Sequence, residues 1–295
     1  MADLARSLES WLAFWSEAGV DVALGDGPVN RLQPLRAPAA EPARAAGARP
    51  APAPRGSASE STGASPAGPA SAALPPPVTT ARATTAQALQ AVSAQAQAAA
   101  EAAHDLQALE AAIAAFDGCP LKAGATRAVF ARGAADAPVM VVGEGPGADE
   151  DAQGAPFVGR AGKLLDKMLA AAGLTDRVFI TNTVFWRPPG NRTPTIEEQA
   201  VCAPFVARAV ALVRPRLLLF AGGAAAKFML GRSEGILSLR GRWFEWRSPD
   251  GALEIPALPT LHPAFLLRQP AAKKQAWADM LTLAERLDRP ERHRA

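Results

Sequence analysis

The distribution of aromatic residues constrains the fold more than any other feature of the sequence. No Phe, Tyr or Trp occurs between Trp15 and Phe116, and the middle of this stretch is mainly Ala, Pro, Ser, Thr and Gly. Such a segment buries too little apolar surface to offset the entropy that is lost on ordering. We therefore expect a single folded domain over residues 116–289.

The regions outside that domain divide by composition. Apolar residues near the start recur at helical spacing and predict a short amphipathic helix over 1–20. These residues are Leu4, Leu8, Trp11, Leu12 and Trp15. Residues 21–83 are rich in Ala, Pro and Ser and are predicted to be a disordered linker, whereas 84–115 are almost pure helix formers and predict a helix leading into the domain. Residues 290–295 form a short tail.

Charge, cysteine content and hydropathy limit the class of protein. The net charge of +3 and the pI of about 9.2 permit an acidic partner such as DNA without requiring one. Two cysteines and no secretory signal favour a reducing, cytoplasmic compartment. No apolar run approaches the roughly 20 residues that a membrane-spanning helix needs. We expect a monomer that does not enter a membrane.

Three polar motifs each follow an apolar, strand-like run in the C-terminal half. They are the GEGPG turn at 143–147, Thr181-Asn182, and the HPAFLLR segment at 262–268. Strand patterns alternate with helical patterns here, which predicts a three-layer α/β/α fold with a central, mainly parallel four-stranded sheet. Ligands of such sheets bind outside the carboxyl ends of the strands. The three motifs are therefore expected to meet at one pocket for a small, flat, polar ligand.

These motifs and their neighbours together carry a family resemblance. The residues concerned are Gly143-Glu144-Gly145-Pro146-Gly147, Glu150-Asp151, Gly154, Pro156-Phe157-Val158-Gly159, Gly162, Leu164-Leu165, Thr181-Asn182, Arg187-Pro188-Pro189, Asn191-Arg192, His262-Pro263 and Leu266-Leu267-Arg268. In order and spacing this set closely resembles the family 4 uracil-DNA glycosylases. The resemblance covers roughly 116–289 and none of 1–83. It implies a uracil-DNA glycosylase-like fold and hydrolysis of the N-glycosidic bond of flipped-out uracil in DNA, which leaves an abasic site.

The resemblance also implies a role for each residue of the uracil pocket. Gly143, Gly145, Phe157 and Asn182 are expected to bind uracil, with the Phe157 ring stacked on the base. The Asn182 amide offers a donor and an acceptor, which match O4 and N3–H of uracil but not the opposite pattern of cytosine. His262 is expected to donate a hydrogen bond to O2 as negative charge builds on the departing base.

The residue that activates water stays open among several carboxylates. Glu144, Asp149, Glu150 and Asp151 all lie near the first motif, and the sequence does not rank them. We take Glu144 and Asp151 as the catalytic candidates. Because the motifs contain no lysine nucleophile, we expect a monofunctional enzyme without a lyase step.

Contacts with DNA are expected from the third motif and from two arginines of the second. Leu266 and Leu267 are predicted to form a wedge that enters the gap left by the flipped nucleotide. Arg268, Arg187 and Arg192 are predicted to contact phosphates.

The sequence departs from the family at the positions of a cofactor. Many family 4 enzymes hold a four-cysteine iron–sulfur cluster, and only Cys119 and Cys202 match its ligands here, with Phe116 and Trp186 at the other two positions. We therefore expect no cofactor and no metal. The two cysteines are expected to remain as neighbouring thiols, with Phe116 and Trp186 filling the core around them.

Two other functions remain open from the sequence. One is a non-catalytic binder of uracil-containing DNA, or one that traps it covalently. A trapping relative has a histidine in a loop between the Asn and His motifs, and the interval between Asn182 and His262 contains none, which counts against trapping. The other is a scaffold or polymerase-associated module, in which the N-terminal helix recruits a partner protein. The sequence also leaves open activity on other deaminated bases such as hypoxanthine or xanthine.

Overall fold

The computed structural model describes residues 79–293, with the side chains of 87–291. The predicted helix over 1–20, the predicted linker as far as residue 78, and residues 294–295 of the tail lie outside this part of the chain. Within it, the strands are β1 (Ala131–Gly133), β2 (Val139–Gly143), β3 (Val178–Asn182), β4 (Leu217–Ala221), β5 (Phe244–Arg247) and β6 (Glu254–Thr260).

The strands of the described region form one sheet in the order β1-β3-β2-β4-β6-β5. The four inner strands are parallel, and β1 and β5 are antiparallel to their neighbours. The predicted three-layer, mainly parallel fold is confirmed, but the sheet has six strands instead of four. The two additional strands lie at the edges of the sheet, and each has only three or four residues.

Helices cover both faces of this sheet. They are α1 (Thr79–Ala102), α2 (Leu106–Ala115), α3 (Ala148–Gln153), α4 (Arg160–Ala171), α5 (Ile196–Val213), α6 (Gly223–Leu230), α7 (Ile236–Leu239), α8 (Pro263–Arg268) and α9 (Lys273–Asp288). Short 3₁₀ turns lie at Pro120–Gly124, Pro189–Asn191, Pro270–Ala272 and Pro290–His293.

Alternate residues of each inner strand point into two separate cores. In β2, Met140 and Val142 pack into the core beneath α1, α2, α5 and α6, whereas Val139 and Val141 pack into the core beneath α4, α8 and α9. Every residue of β2, β3 and β4 is buried. Continuous apolar runs of this kind are typical of parallel strands that are covered on both faces.

The predicted helix over 84–115 is instead two helices. The first begins at Thr79, because no Gly or Pro follows Pro77 until after the helix has ended. The second begins after Asp105, whose side chain accepts a hydrogen bond from the Ala108 N–H at 2.7 Å and caps the new helix. Both helices pack against α5 as part of the core.

None of the helices in the described part of the chain is both long and apolar enough to span a membrane.

Candidate functional site

One cavity of about 490 Å³ lies at the carboxyl ends of the parallel strands. The turn that follows β2, the end of β3 and the segment after β6 all border it, as the topology of an open α/β sheet requires. Of the predicted site residues, the cavity brings together Glu144, Gly145, Phe157, Asn182 and His262, with Arg192 and Arg268 at its border. The three motifs therefore converge as predicted.

Gly143 allows two of these side chains to approach the turn closely. A β-carbon at Gly143 would lie 2.6 Å from the Phe157 ring and closer still to the Asn182 amide oxygen. Asn182 is 2 % exposed, and none of the described residues forms a hydrogen bond with its carboxamide. A buried polar group without a partner is costly, so this amide is available to a ligand that supplies a donor and an acceptor.

Phe157 has an unusual backbone conformation. Its φ of 55° lies in the left-handed region, which a bulky residue rarely adopts. The residue is 7 % exposed, and the centroid of its ring lies 5.7 Å from that of His262, with 30° between the ring planes. Gly162 makes room for this turn, because a β-carbon there would overlap the Phe157 carbonyl. The two rings form part of the wall of the cavity.

His262 presents a defined tautomer to the cavity. Its Nδ1 accepts a hydrogen bond of 3.1 Å from the Ala264 N–H at the start of α8. The neutral ring must therefore carry its proton on Nε2. Burial, together with the positive charge of Arg268, lowers the pKa of His262 from 6.5 to about 4, although Glu150 acts in the opposite direction. At neutral pH the imidazole is an uncharged donor.

The carboxylates of the first motif have different surroundings. Glu150 accepts three backbone hydrogen bonds, from Gly147 at 3.0 Å, Val158 at 3.0 Å and Gly159 at 2.9 Å. Its oxygens are therefore occupied in holding the loop together. Glu144 also borders the cavity, and among residues 79–293 none donates a hydrogen bond to its carboxylate. Of the two, Glu144 has the carboxylate that is available to a water molecule.

Asp151 does not belong to the cavity, contrary to the sequence prediction. The side chain is 5 % exposed and accepts hydrogen bonds from the Thr126 N–H and hydroxyl, both at 2.8 Å. Burial raises the pKa of Asp151, but the hydrogen bonds from Thr126 and Arg127 outweigh it and the net pKa lies below the usual value. The carboxylate ties α3 to the segment before β1. Adjacent positions of a helix point in different directions, and here Asp151 faces inward.

The predicted wedge contains one buried and one exposed leucine. Leu266 is fully buried in the core beneath α4, α8 and α9, so its prediction as a DNA wedge is wrong. Leu267 is 38 % exposed, and the exposed Arg268 borders the cavity. Only the outer residues of α8 are accessible to DNA.

The two arginines after β3 are engaged within the protein. Arg192 forms two hydrogen bonds with Glu198, at 2.6 and 2.8 Å, and these bonds lower the pKa of Glu198. Arg187 donates a hydrogen bond of 2.7 Å to Asn191 and does not border the cavity. Arg192 therefore borders the space that a ligand would occupy, and Arg187 lies farther from it.

Two buried polar residues behind the site were not singled out from the sequence. The Thr183 hydroxyl donates a hydrogen bond of 2.6 Å to the Glu144 carbonyl and accepts one of 2.9 Å from Gln199 of α5. Because C=O and N–H point in opposite directions across a trans peptide, the Gly145 N–H is turned away from Thr183. No motif marks either residue; their burial is the only signal, and it is visible only in the folded chain.

The two cysteines are neighbours, as the sequence predicts. Cys119 and Cys202 are both buried, with their sulfur atoms 4.0 Å apart. A hydrogen bond from Cys202 lowers the pKa of the Cys119 thiol, and the same hydrogen bond, together with burial, raises the pKa of the Cys202 thiol well above its usual value. Phe116 and Trp186 are buried in the same core, where the Phe116 ring packs against Phe205 at 5.2 Å between centroids.

Comparison with known proteins identifies relatives over this domain. Residues 130–281 match the model of the uracil DNA glycosylase superfamily. A Type-4 uracil-DNA glycosylase of Thermotoga maritima is 41% identical over 152 residues, which cover 51% of this chain and 77% of that protein. A Type-4 uracil-DNA glycosylase of Pyrobaculum aerophilum is 38% identical over 181 residues, covering 60% of this chain and 91% of that protein. The protein of the same name from Sulfurisphaera tokodaii is 36% identical over 181 residues, with 59% and 81% covered.

These relatives correct the expectation that no cofactor belongs here. They are type-4 uracil-DNA glycosylases, a family known to bind an iron–sulfur cluster. Such a cluster is normally held by four cysteine thiolates, and the chain has two cysteines. Within residues 79–293 no group of three or more His, Cys, Asp or Glu side chains could hold a metal ion. The described side chains therefore do not supply a full set of cluster ligands.

Proposed function

The chain belongs to the uracil DNA glycosylase superfamily, and on that basis we propose that it is a DNA-repair enzyme that hydrolyses the N-glycosidic bond of uracil in DNA. One observation carries the proposal: Phe157, Asn182 and the Nε2–H donor of His262 border the same cavity. An aromatic face, an amide and a neutral donor are the groups that a flat, polar base requires.

Binding of the base requires that the nucleotide leave the duplex. Extrusion from the stack costs a few kcal/mol, which the pocket must recover. Stacking of the base on the Phe157 ring contributes about 1–3 kcal/mol by analogy with other base-stacking sites. Leu267, which is partly exposed on α8, is the residue we assign to the vacated space in the duplex.

Selectivity for uracil is assigned to Asn182. Its carboxamide is buried and has no hydrogen-bond partner in the described part of the chain. Uracil pairs with both the donor and the acceptor of this amide, whereas cytosine presents the opposite pattern on the same edge. Cytosine therefore leaves buried groups unpaired, which is the arrangement that discriminates most strongly between similar ligands.

Departure of the base is assisted by His262. Uracil leaves as an anion, and a neutral histidine that donates from Nε2 stabilises the charge that develops on O2. One preorganised donor of this kind typically contributes about 2.7–4 kcal/mol. The Gly145 N–H, which Thr183 and Gln199 orient through the Glu144 carbonyl, is a second donor for the same anion.

Attack by water completes the reaction. Glu144 is the carboxylate that we assign to the water, because the oxygens of Glu150 are taken by three backbone N–H groups. No lysine is among the described residues that border the cavity, so we propose a monofunctional enzyme that forms no Schiff base.

Uracil-containing DNA is the macromolecular partner, with Arg268 and, less directly, Arg192 near its phosphates. A partner protein at the N-terminal segment, a monomeric state and a cytoplasmic location are proposed from the sequence alone.

The test is excision of uracil from single- and double-stranded oligonucleotides, read as strand breaks after alkaline treatment. The wild type is compared with Asn182→Ala and His262→Ala, and with His104→Ala as a control at an exposed histidine. We expect a loss of about 100-fold or more in the two pocket variants and none in the control. Binding of uracil-DNA without breaks would indicate a non-catalytic binder, and breaks before alkali would contradict the monofunctional proposal.

A further inference from the structure

The backbone at Phe157 is held in a conformation that the residue does not prefer. A phenylalanine at a φ of 55° is strained and persists only where its surroundings enforce it. The N–H groups that follow, at Val158 and Gly159, donate to Glu150. These two bonds hold only one side of the turn, because the carbonyl groups of Pro156 and Phe157 point elsewhere.

Arg132 holds the other side of this turn. Its Nε donates a hydrogen bond of 2.7 Å to the Pro156 carbonyl, and its Nη2 donates one of 3.2 Å to the Phe157 carbonyl. The same Nη2 lies 2.6 Å from the Asp166 carboxylate on α4. The side chain is 29% exposed, so the guanidinium is partly shielded from water. The carbonyls on both sides of the strained φ of Phe157 are thus engaged by Arg132, and the N–H groups that follow are engaged by Glu150.

Arg132 also connects this turn with the strand that carries Asn182. It lies on β1, where it pairs with Ile180 of β3, two residues before Asn182. Through Arg132, the turn that carries the Phe157 ring is thus attached to β1, which pairs with the strand that carries Asn182. A planar guanidinium, with several donors in a fixed fork, suits this double carbonyl contact better than the single ammonium of a lysine.

We propose that Arg132 is a positioning residue for uracil recognition. By holding the carbonyls of Pro156 and Phe157 it keeps the Phe157 ring at the angle at which a flipped base stacks on it. Arg132 itself does not border the cavity and does not touch the base. The proposal rests on the proposed function, because the ring has this purpose only if a base enters the cavity.

The first experiment is a double-mutant cycle on the single-turnover rate of uracil excision. Arg132→Met is expected to lower the rate about tenfold, because a displaced ring retains part of its stacking contact with the base. In a Phe157→Leu background the same change is expected to cost nothing further. Asp166→Asn, which removes the ion pair and keeps the carbonyl contacts, is the matched control and is expected to stay within about twofold of wild type. Arg132→Lys is expected to recover part of the loss.

Equal rates for wild type and Arg132→Met would overturn the proposal, as would a loss that is undiminished in the Phe157→Leu background. The second experiment does not depend on activity. Amide hydrogen exchange at residues 157–159 is expected to accelerate in Arg132→Met, with β2 and β4 as protected as in wild type. Unchanged exchange at 157–159 would overturn the positioning role even if the wild type fails to excise uracil, an outcome that by itself refutes only the proposed function.

Discussion

The immediate contacts of His262 fix both its tautomer and its position. The Ala264 N–H fixes the tautomer, and Gly222, with a φ of 100°, lets the ring approach the turn after β4. A β-carbon at Gly222 would lie 2.9 Å from the β-carbon of His262. The glycine is thus required both by its backbone conformation and by the space that the histidine occupies.

The low pKa of His262 predicts how stability depends on pH. In the folded protein the pKa is about 4, and in the unfolded chain the ring is free to take a proton below pH 6.5. The stabilising contribution is therefore complete above about pH 6.5 and is lost as pH falls toward 4, with a total of about 3 kcal/mol. Urea unfolding of wild type and His262→Gln between pH 7.5 and 4.5 measures it.

We expect the unfolding free energy of His262→Gln to fall less steeply with acid than that of wild type. His104→Gln, a change at an exposed histidine between α1 and α2, is the control for loss of a histidine elsewhere in the chain. Parallel curves for wild type and His262→Gln would contradict the low pKa.

Helix α3 is likewise held in place by the contacts of its side chains. It contains only six residues, too few to be stable alone, and two of its carboxylates attach it to neighbouring segments of the domain. Glu150 holds the turn at Phe157, while Asp151 holds the segment before β1. The helix thereby fixes the position of the Gly-rich turn that borders the cavity.

A substitution at Asp151 distinguishes this structural role from catalysis. Asp151→Asn loses one of two accepting oxygens, so we expect the free energy of unfolding to fall by about 1–3 kcal/mol. The excision rate per folded molecule is expected to stay near that of wild type, because the side chain does not border the cavity. Asp149→Asn, at an exposed position of the same helix, is the control for both measurements. A normally stable Asp151→Asn that is a hundredfold slower would show that the carboxylate is catalytic.

At the scale of the whole molecule, the folded domain begins before the boundary that the sequence suggests. Leu109 and Ile113 of α2 are fully buried, as is Ala96 of α1, in the core shared with α5. Arg208 of α5 donates two hydrogen bonds, of 2.9 and 2.6 Å, to the Ala103 carbonyl between these helices. The two helices therefore form part of the layer on this face of the sheet.

Two truncated chains test this boundary. A chain of residues 79–295 is expected to fold and to excise uracil like the full chain. A chain of residues 116–295 loses the burial of Leu109 and Ile113, about 1.5–3 kcal/mol each, from a total that is about 5–15 kcal/mol for most domains. We expect it to unfold at much lower urea concentration or to aggregate. Equal midpoints for both chains would contradict the boundary at 79.

The mainly parallel sheet and the motifs that follow its strands were predictable from the sequence alone. Strands β2, β3 and β4 are short apolar runs that end in, or are followed by, Gly or polar residues, and the parallel topology then brings their carboxyl ends together. For the same reason the presence of Phe157, Asn182 and His262 at one cavity was predictable. A local sequence pattern is enough to predict a site when its residues follow parallel strands, because the carboxyl ends of these strands lie at one edge of the sheet.

Which of two neighbouring side chains faces the site depends on tertiary contacts that the sequence does not reveal. Glu144 faces the cavity while Asp151 reaches Thr126, which is 25 residues away in sequence. Leu266 is buried and Leu267 is partly exposed, although the two are adjacent and chemically identical. Such choices depend on contacts between segments that are distant in sequence, and these contacts form only when the layers pack. Arg132 is the clearest case, because no motif marks it and its partners lie on other elements.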